Sequence, residues 1–352
     1  MILNKVLTSF LALSCLIIPM IGSPALCEET DNPVLQKGDE LFARMKVKEA
    51  IEQFKEAVKQ QPTNARAHQK LGAALATNDD YDNAILEEQT AAKLDPKYFL
   101  PHVMLGQIFA YQGKFDQALD ELKQAVSLKP TSFRTHLDLG FVNTHLGKLD
   151  EAVDAYKQAA AIDQTDATPH LNLGVLYSQK QDYPTAIIEE QKAIELNPNI
   201  AEPHINLGNI YADTGEVDKA CAEFKEALRL SPMHPNAHCG LGWMLEKQGK
   251  YKEAIAEQRK ALKSQPDFSP ARRRLAVALA DVGDSKAAQE AFQDTLKIVP
   301  RDITARVEYA QFLEKQGQKA EAITEYKKVL EINPDAKIAQ DALDNLNKSQ
   351  AK

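Results

Sequence analysis

Apolar and polar positions follow a helical period along most of the chain, in short amphipathic stretches that come two to every 34 residues. In residues 65–98, Ala67, Leu71, Ala74 and Leu75 mark one stripe, and Ile85 and Ala92 belong to the next. Spacings of three and four put such residues on one face of an α-helix. The pattern recurs in register. Ala50, Ala84, Ala118, Ala152, Ala186, Ala220, Ala254, Ala288 and Ala322 hold one phase, and Gly38, Gly72, Gly106, Gly140, Gly174, Gly208 and Gly242 hold another, continued by Ala276 and Ala310. Eight of the 17 prolines share a third phase, from Pro62 to Pro334, broken at Gln164.

Each class of residue has a physical reason to recur. Small residues let two helix axes approach to ~8–10 Å. Gly113, Gly147, Gly215, Gly249, Gly283 and Gly317 follow the first helix of their units, where a left-handed C-cap requires no Cβ. Asp116, Asp150, Asp182 and Asp218 stand near the start of the second, where negative charge suits unpaired N–H groups. Proline then ends the second helix. The period predicts nine two-helix units, from 31–64 to 303–336. A final amphipathic helix at 337–352 carries Ile338, Ala342, Leu343 and Leu346 and acts as a cap. The first unit is degenerate, with Lys37 where others have Leu and Met45 where others have Gly.

The run Leu-Gly, then Ala 12 residues after the Gly and Pro 12 residues later, resembles the tetratricopeptide repeat. The resemblance implies an all-α fold, a helical-hairpin solenoid wound as a right-handed superhelix over residues 28–352. One unit cannot bury its apolar face alone, so stability comes from stacking neighbours. The resemblance also implies a scaffold for protein–protein or protein–peptide contact without catalysis. The alternatives are a spacer with no groove ligand and a repeat-based enzyme or metal-binding protein.

Residues 1–27 read as a secretory leader. Lys5 is its one charge, Val6 to Ile21 are largely apolar, and small residues follow at Ser23, Ala25 and Cys27. An uncleaved anchor and a lipidated Cys27 or Cys15 are the other readings. The apolar stretch is short for a span of roughly 20 residues, and Leu26 is bulky for lipoprotein processing. The leader reading predicts a periplasmic or secreted protein with no membrane span after processing. The net charge of −8 argues against nucleic acid and polybasic membrane contact. Four cysteines in 352 residues, none in a CxxC pair, make neither a disulfide framework nor a zinc site. Cys221 and Cys239 replace apolar residues of other units, and a disulfide between them stays open. No phosphate loop, HExxH or GxSxG is present, so no catalytic residue, metal ligand or cofactor is expected.

Two features remain. His68, His102, His136, His170, His204 and His238 share one phase. Stacked units stand on the order of 10 Å apart, too far for two such rings to share a zinc ion, so the row is expected to be structural. Glu88 and Glu190 stand 20 positions after His68 and His170. Contacts His68–Glu88 and His170–Glu190 are therefore predicted, with His102 and His204, which have Leu122 and Phe224 at that position, lacking such a partner. In the family, the fifth and ninth positions of the first helix line the concave surface. The resemblance thus implies a partner site at Val103, Leu137, Phe141, Leu171, Val175, Ile205, Asn209 and Trp243, with Asn172, Asn206 and Asn209 able to bond an extended backbone. Arg273 and Arg274, from the only run of three basic residues, are expected to receive an acidic group or chain terminus of a protein or peptide partner.

Overall fold

The computed structural model describes residues 32–350, which contain 19 α-helices and no strand. The predicted leader, with Cys15 and Cys27, lies outside the described residues. None of the described helices is long and apolar enough to cross a membrane. The chain divides into two compact units at Lys180 and Gln181.

The first unit holds α1 (Pro33–Ala43), α2 (Val47–Gln60), α3 (Ala65–Thr77), α4 (Tyr81–Leu94), α5 (Phe99–Tyr111), α6 (Phe115–Leu128), α7 (Phe133–His145), α8 (Leu149–Ile162) and α9 (Thr168–Gln179). The second holds α10 (Tyr183–Leu196), α11 (Glu202–Asp213), α12 (Val217–Leu230), α13 (Pro235–Lys247), α14 (Tyr251–Ser264), α15 (Ser269–Asp281), α16 (Ser285–Ile298), α17 (Ile303–Lys315), α18 (Lys319–Ile332) and α19 (Lys337–Gln350). Within each unit the helices pack as successive antiparallel hairpins, all-α solenoid architecture as the periodicity predicts.

The turns follow from the sequence. Inside each hairpin one residue is left-handed. Glycine takes that place six times, for example Gly147 at φ 72°, but Met45, Asp79 and Gln181 adopt it too, at φ 58–62°. Those three accept the strain of a Cβ because the hairpin around them fixes the turn. Between hairpins, residues before the periodic proline leave the helical region, and Asp95 (φ −132°) and Asn197 (φ −142°) are extended, because the proline ring excludes the helical region there.

The core of each hairpin is a small residue facing a plug. A Cβ on Gly106 would lie 2.6 Å from Leu122, on Gly140 2.5 Å from Tyr156, and on Gly208 2.7 Å from Phe224. The plugs stand 16 residues after the glycines and are completely buried, as are the nine periodic alanines of the second helices. Three plugs are polar. Glu88 and Gln258 sit against Gly72 and Gly242, and Glu190 is equally buried.

Histidines of the row meet a glutamate of the following helix, one residue out of the predicted register, and His68, His136 and His238 also reach the carbonyl of the proline before them. His68 Nδ1 meets Glu87, not Glu88, at 2.6 Å, while its Nε2 meets the Pro62 carbonyl at 2.9 Å. His238 does the same with Glu257 and Pro232. His102 and His204, expected to lack a carboxylate, meet Glu121 and Glu223 at 2.7 Å. Adjacent residues on a helix point about 100° apart. The residue 19 positions on therefore turns to the histidine, and the residue 20 positions on turns to the glycine. Asn206 Nδ2 donates to Glu190 Oε1 at 2.9 Å within the second unit; the predicted partner His170 belongs to the first unit. Arg272, Arg306 and Gln340 continue the histidine phase and reach the carbonyls of Pro266, Pro300 and Pro334. Both described cysteines, Cys221 and Cys239, are free.

Candidate partner-binding site

The predicted strip falls into two parts, one in each unit. In the first unit Val103, Phe141, Asn172 and Val175 are buried, and Leu137 and Leu171 are half-buried. Asn172 spends its Nδ2 on the Thr168 carbonyl of its own helix at 2.9 Å. Phe141 packs on the His145 ring with 4.2 Å between centroids. Beside them Asp138 is buried but held. Gln107 Nε2 donates to its Oδ2 at 2.7 Å, and Arg134 Nε lies 3.0 Å from its Oδ1. Burial raises the Asp138 carboxyl, and the Arg134 charge opposes that rise.

The second unit gathers more chemistry. Ile205 is buried, whereas Asn206, Asn209, Trp243 and Arg274 are half-buried. On α13 and α15, the Arg274 guanidinium carbon stands 4.6 Å from the Trp243 ring centroid, a cation–π contact. Arg274 Nη1 lies 3.6 Å from Glu246 Oε1. Arg273, 5% exposed, pairs through Nη1 with Glu308 Oε1 of α17 at 2.5 Å.

These pairs revise the electrostatics expected of the site. Arg273 and Arg274 are not open cations awaiting an acid; each already faces a carboxylate of a neighbouring helix. The burial that makes Arg273 useful to the fold removes it from the surface. Burial and the adjacent Arg273 charge lower the Arg274 pKa, while burial raises that of Glu246 against the pull of Arg274. Burial also pushes the nearby Cys239 thiol up to about 11, which leaves it a poor nucleophile. What the cluster leaves unpaired is Trp243 Nε1–H, Glu246 Oε2 and Glu308 Oε2, all covered by neighbouring atoms.

Family comparison agrees with the helix pairing. One tetratricopeptide repeat model matches residues 204–333, a TPR repeat model matches 38–79, 106–145 and 143–181, and another tetratricopeptide repeat model matches 167–200. The chain is a tetratricopeptide repeat protein. Among solved structures, the TPR chain resembles one in the APC/C hetero-tetramer Cut9-Hcn1, with 14% identity, 98% of this chain and 81% of that chain covered, and a TM-score of 0.60. It also resembles a tetratricopeptide repeat protein from Parabacteroides merdae, with 18% identity, 70% and 98% covered, and a TM-score of 0.59. The protein MamA matches at 28% identity over 46% of this chain and 95% of its own, with a TM-score of 0.45. No curated protein matches the chain.

The two glutamates that dress the arginines were absent from the sequence reading. Glu246 lies 28 residues before Arg274, and Glu308 35 residues after Arg273. The separation of Glu308 is one residue more than the repeat length, so asking which residues of the next unit face Arg273 points to it; that of Glu246, in the preceding unit, is six residues short of the repeat and gives no such pointer. Nothing short of the packed helices says that both contacts form.

Proposed function

We propose that this TPR protein is a non-catalytic adaptor that acts outside the cytoplasm and holds a protein or peptide partner. The leader-like segment 1–27 supports the location. TPR architecture supports a binding rather than a catalytic role. The observation that carries the site is the half-buried Trp243–Arg274–Glu246 cluster, with an aromatic ring, a guanidinium and a carboxylate held together on α13 and α15. Trp and Arg are the usual anchors of such surfaces. An extended segment laid over α13 and α15 would place apolar side chains on Trp243 and turn backbone groups toward Asn209. Arg274 then acts as the face on which Trp243 is held and not as an acid receptor.

The test is site-directed crosslinking in the native compartment. A photoreactive residue at Asn209 is expected to capture a discrete partner that one at the exposed Lys263 of α14 does not. Trp243→Ala is expected to reduce capture by about tenfold or more, the usual weight of an aromatic anchor, with the melting profile of the fold retained. Equal capture from both positions, or capture indifferent to Trp243→Ala, would leave the spacer reading in its place.

A further inference from the structure

The carboxylate that faces the histidine row is missing at His136. Nineteen positions after His136 stands Ala155, where His68 and His102 have Glu87 and Glu121. The space such a side chain would fill is open. A cavity of about 270 Å³ lies between α6, α7 and α8, with His136, Leu139 and Asn143 of α7, Leu119 and Lys123 of α6, and Ala155 of α8 in its walls.

Its floor is polar and unsatisfied. His136 Nε2 is engaged by the Pro130 carbonyl at 2.8 Å, and a carbonyl only accepts. The ring's Nδ1 has no partner among the described residues, nor does the Asn143 carboxamide. Both residues are more than nine-tenths buried. Both groups open onto the cavity, where a ligand can reach them. The apolar sides, Leu119, Leu139 and Ala155, suit methylene groups. At the rim, Lys123 and Lys148 attract negative charge, while Glu151 and Asp154 oppose a second one.

We propose that this cavity binds a single carboxylate carried on a short aliphatic stem. The carboxylate takes the seat of the absent glutamate, where it accepts from Nδ1–H of His136 in its imidazolium form and from the Asn143 amide, and restores the pair of partners that His68 and His238 have in their own hairpins. The stem lies along Leu119 and Leu139. The rim acids make a monocarboxylate the preferred ligand over a dicarboxylate. The site is separate from the Trp243 cluster and does not depend on it.

The test uses the full mature chain, butyrate as the probe and the imidazole resonances read by NMR. A saturable shift of the His136 signals, identified by their loss in His136→Gln, is expected. Glutarate should bind more weakly. Ala155→Glu fills the seat from within; it should raise the melting temperature and weaken butyrate binding by about tenfold or more, the scale of a charge-assisted contact. Ala155→Leu blocks the same space without a charge and keeps the test open should the glutamate variant fold poorly. N-acetylglutamate amide distinguishes the source. Binding equal to that of butyrate assigns the site to an acidic side chain of a partner, and binding of butyrate alone assigns it to a free acid. No saturable shift, or one unaltered in both Ala155 variants, would overturn the proposal.

Discussion

Leu122 and Glu88 occupy the same seat in two neighbouring hairpins of the first unit. Each is the plug of its second helix, each is completely buried, and each presses on a glycine of the first helix. A Cβ built on Gly106 or Gly72 would stand 2.6 Å from its plug in both cases. The helices approach equally closely whether the plug is hydrocarbon or carboxyl. Leu122 gains stability from leaving water. Glu88 does not: neither carboxylate oxygen has a hydrogen-bond partner. Burial, and then the neighbouring Glu87, drives its pKa well above the ordinary value. The lesson is that small residues set the spacing of a hairpin, while the plug decides how much stability that spacing returns.

The severest way to break this comparison is to make the two seats chemically alike in the wrong direction. Leu122→Glu removes a hydrocarbon plug and puts an unpaired acid in its seat, and should cost about 3–5 kcal/mol in urea unfolding. A loss near zero would mean that any hairpin of this chain tolerates an acidic plug.

The glycines offer a smaller and sharper contrast. In Gly140→Ala the new Cβ meets the rigid ring of Tyr156 at 2.5 Å, and the overpacking should cost about 1–3 kcal/mol. In Gly72→Ala the nearest atom is the tip of the flexible Glu88 side chain at 2.6 Å, so the loss should be smaller. Equal losses, measured by the same unfolding experiment, would show that the backbone approach and not the plug sets the cost.

The smallest effect has a pH signature. Glu88→Leu should stabilise the first unit by about 1 kcal/mol at neutral pH, since it removes an unpaired buried acid. The folded-state pKa of Glu88 is raised, so folding takes up a proton. The stability this lends is present below the unfolded value near 4.5 and is lost as pH climbs from there toward the raised value. The gap between Glu88→Leu and the parent should therefore widen as pH rises above 4.5. A gap of constant size would mean that another group controls the titration.

The 34-residue phases of Ala, Gly and Pro were enough to place two helices in each repeat and to give their order. Those features are local. A pre-proline residue cannot be helical, a left-handed turn favours glycine, and an apolar stripe needs a covered face, whatever the neighbours are. The same reasoning extended to the capping helix, α19. It was less able to assign contacts across helices. His68 was matched with Glu88 where the fold pairs it with Glu87, because one residue along a helix is a third of a turn and only packed axes say which side faces inward. Arg273 and Arg274 could be placed on a helix but not matched with Glu308 and Glu246, since an ion pair depends on the distance between helices that no spacing states. Burial was the other matter left to the tertiary structure. The strip residues Val103, Phe141, Val175 and Ile205 have the sequence signature of a binding surface and of a core alike, and packing covered them. Ala155 belongs with them. In the sequence it is one more small residue, and only the three helices around it turn its missing side chain into a cavity beside His136.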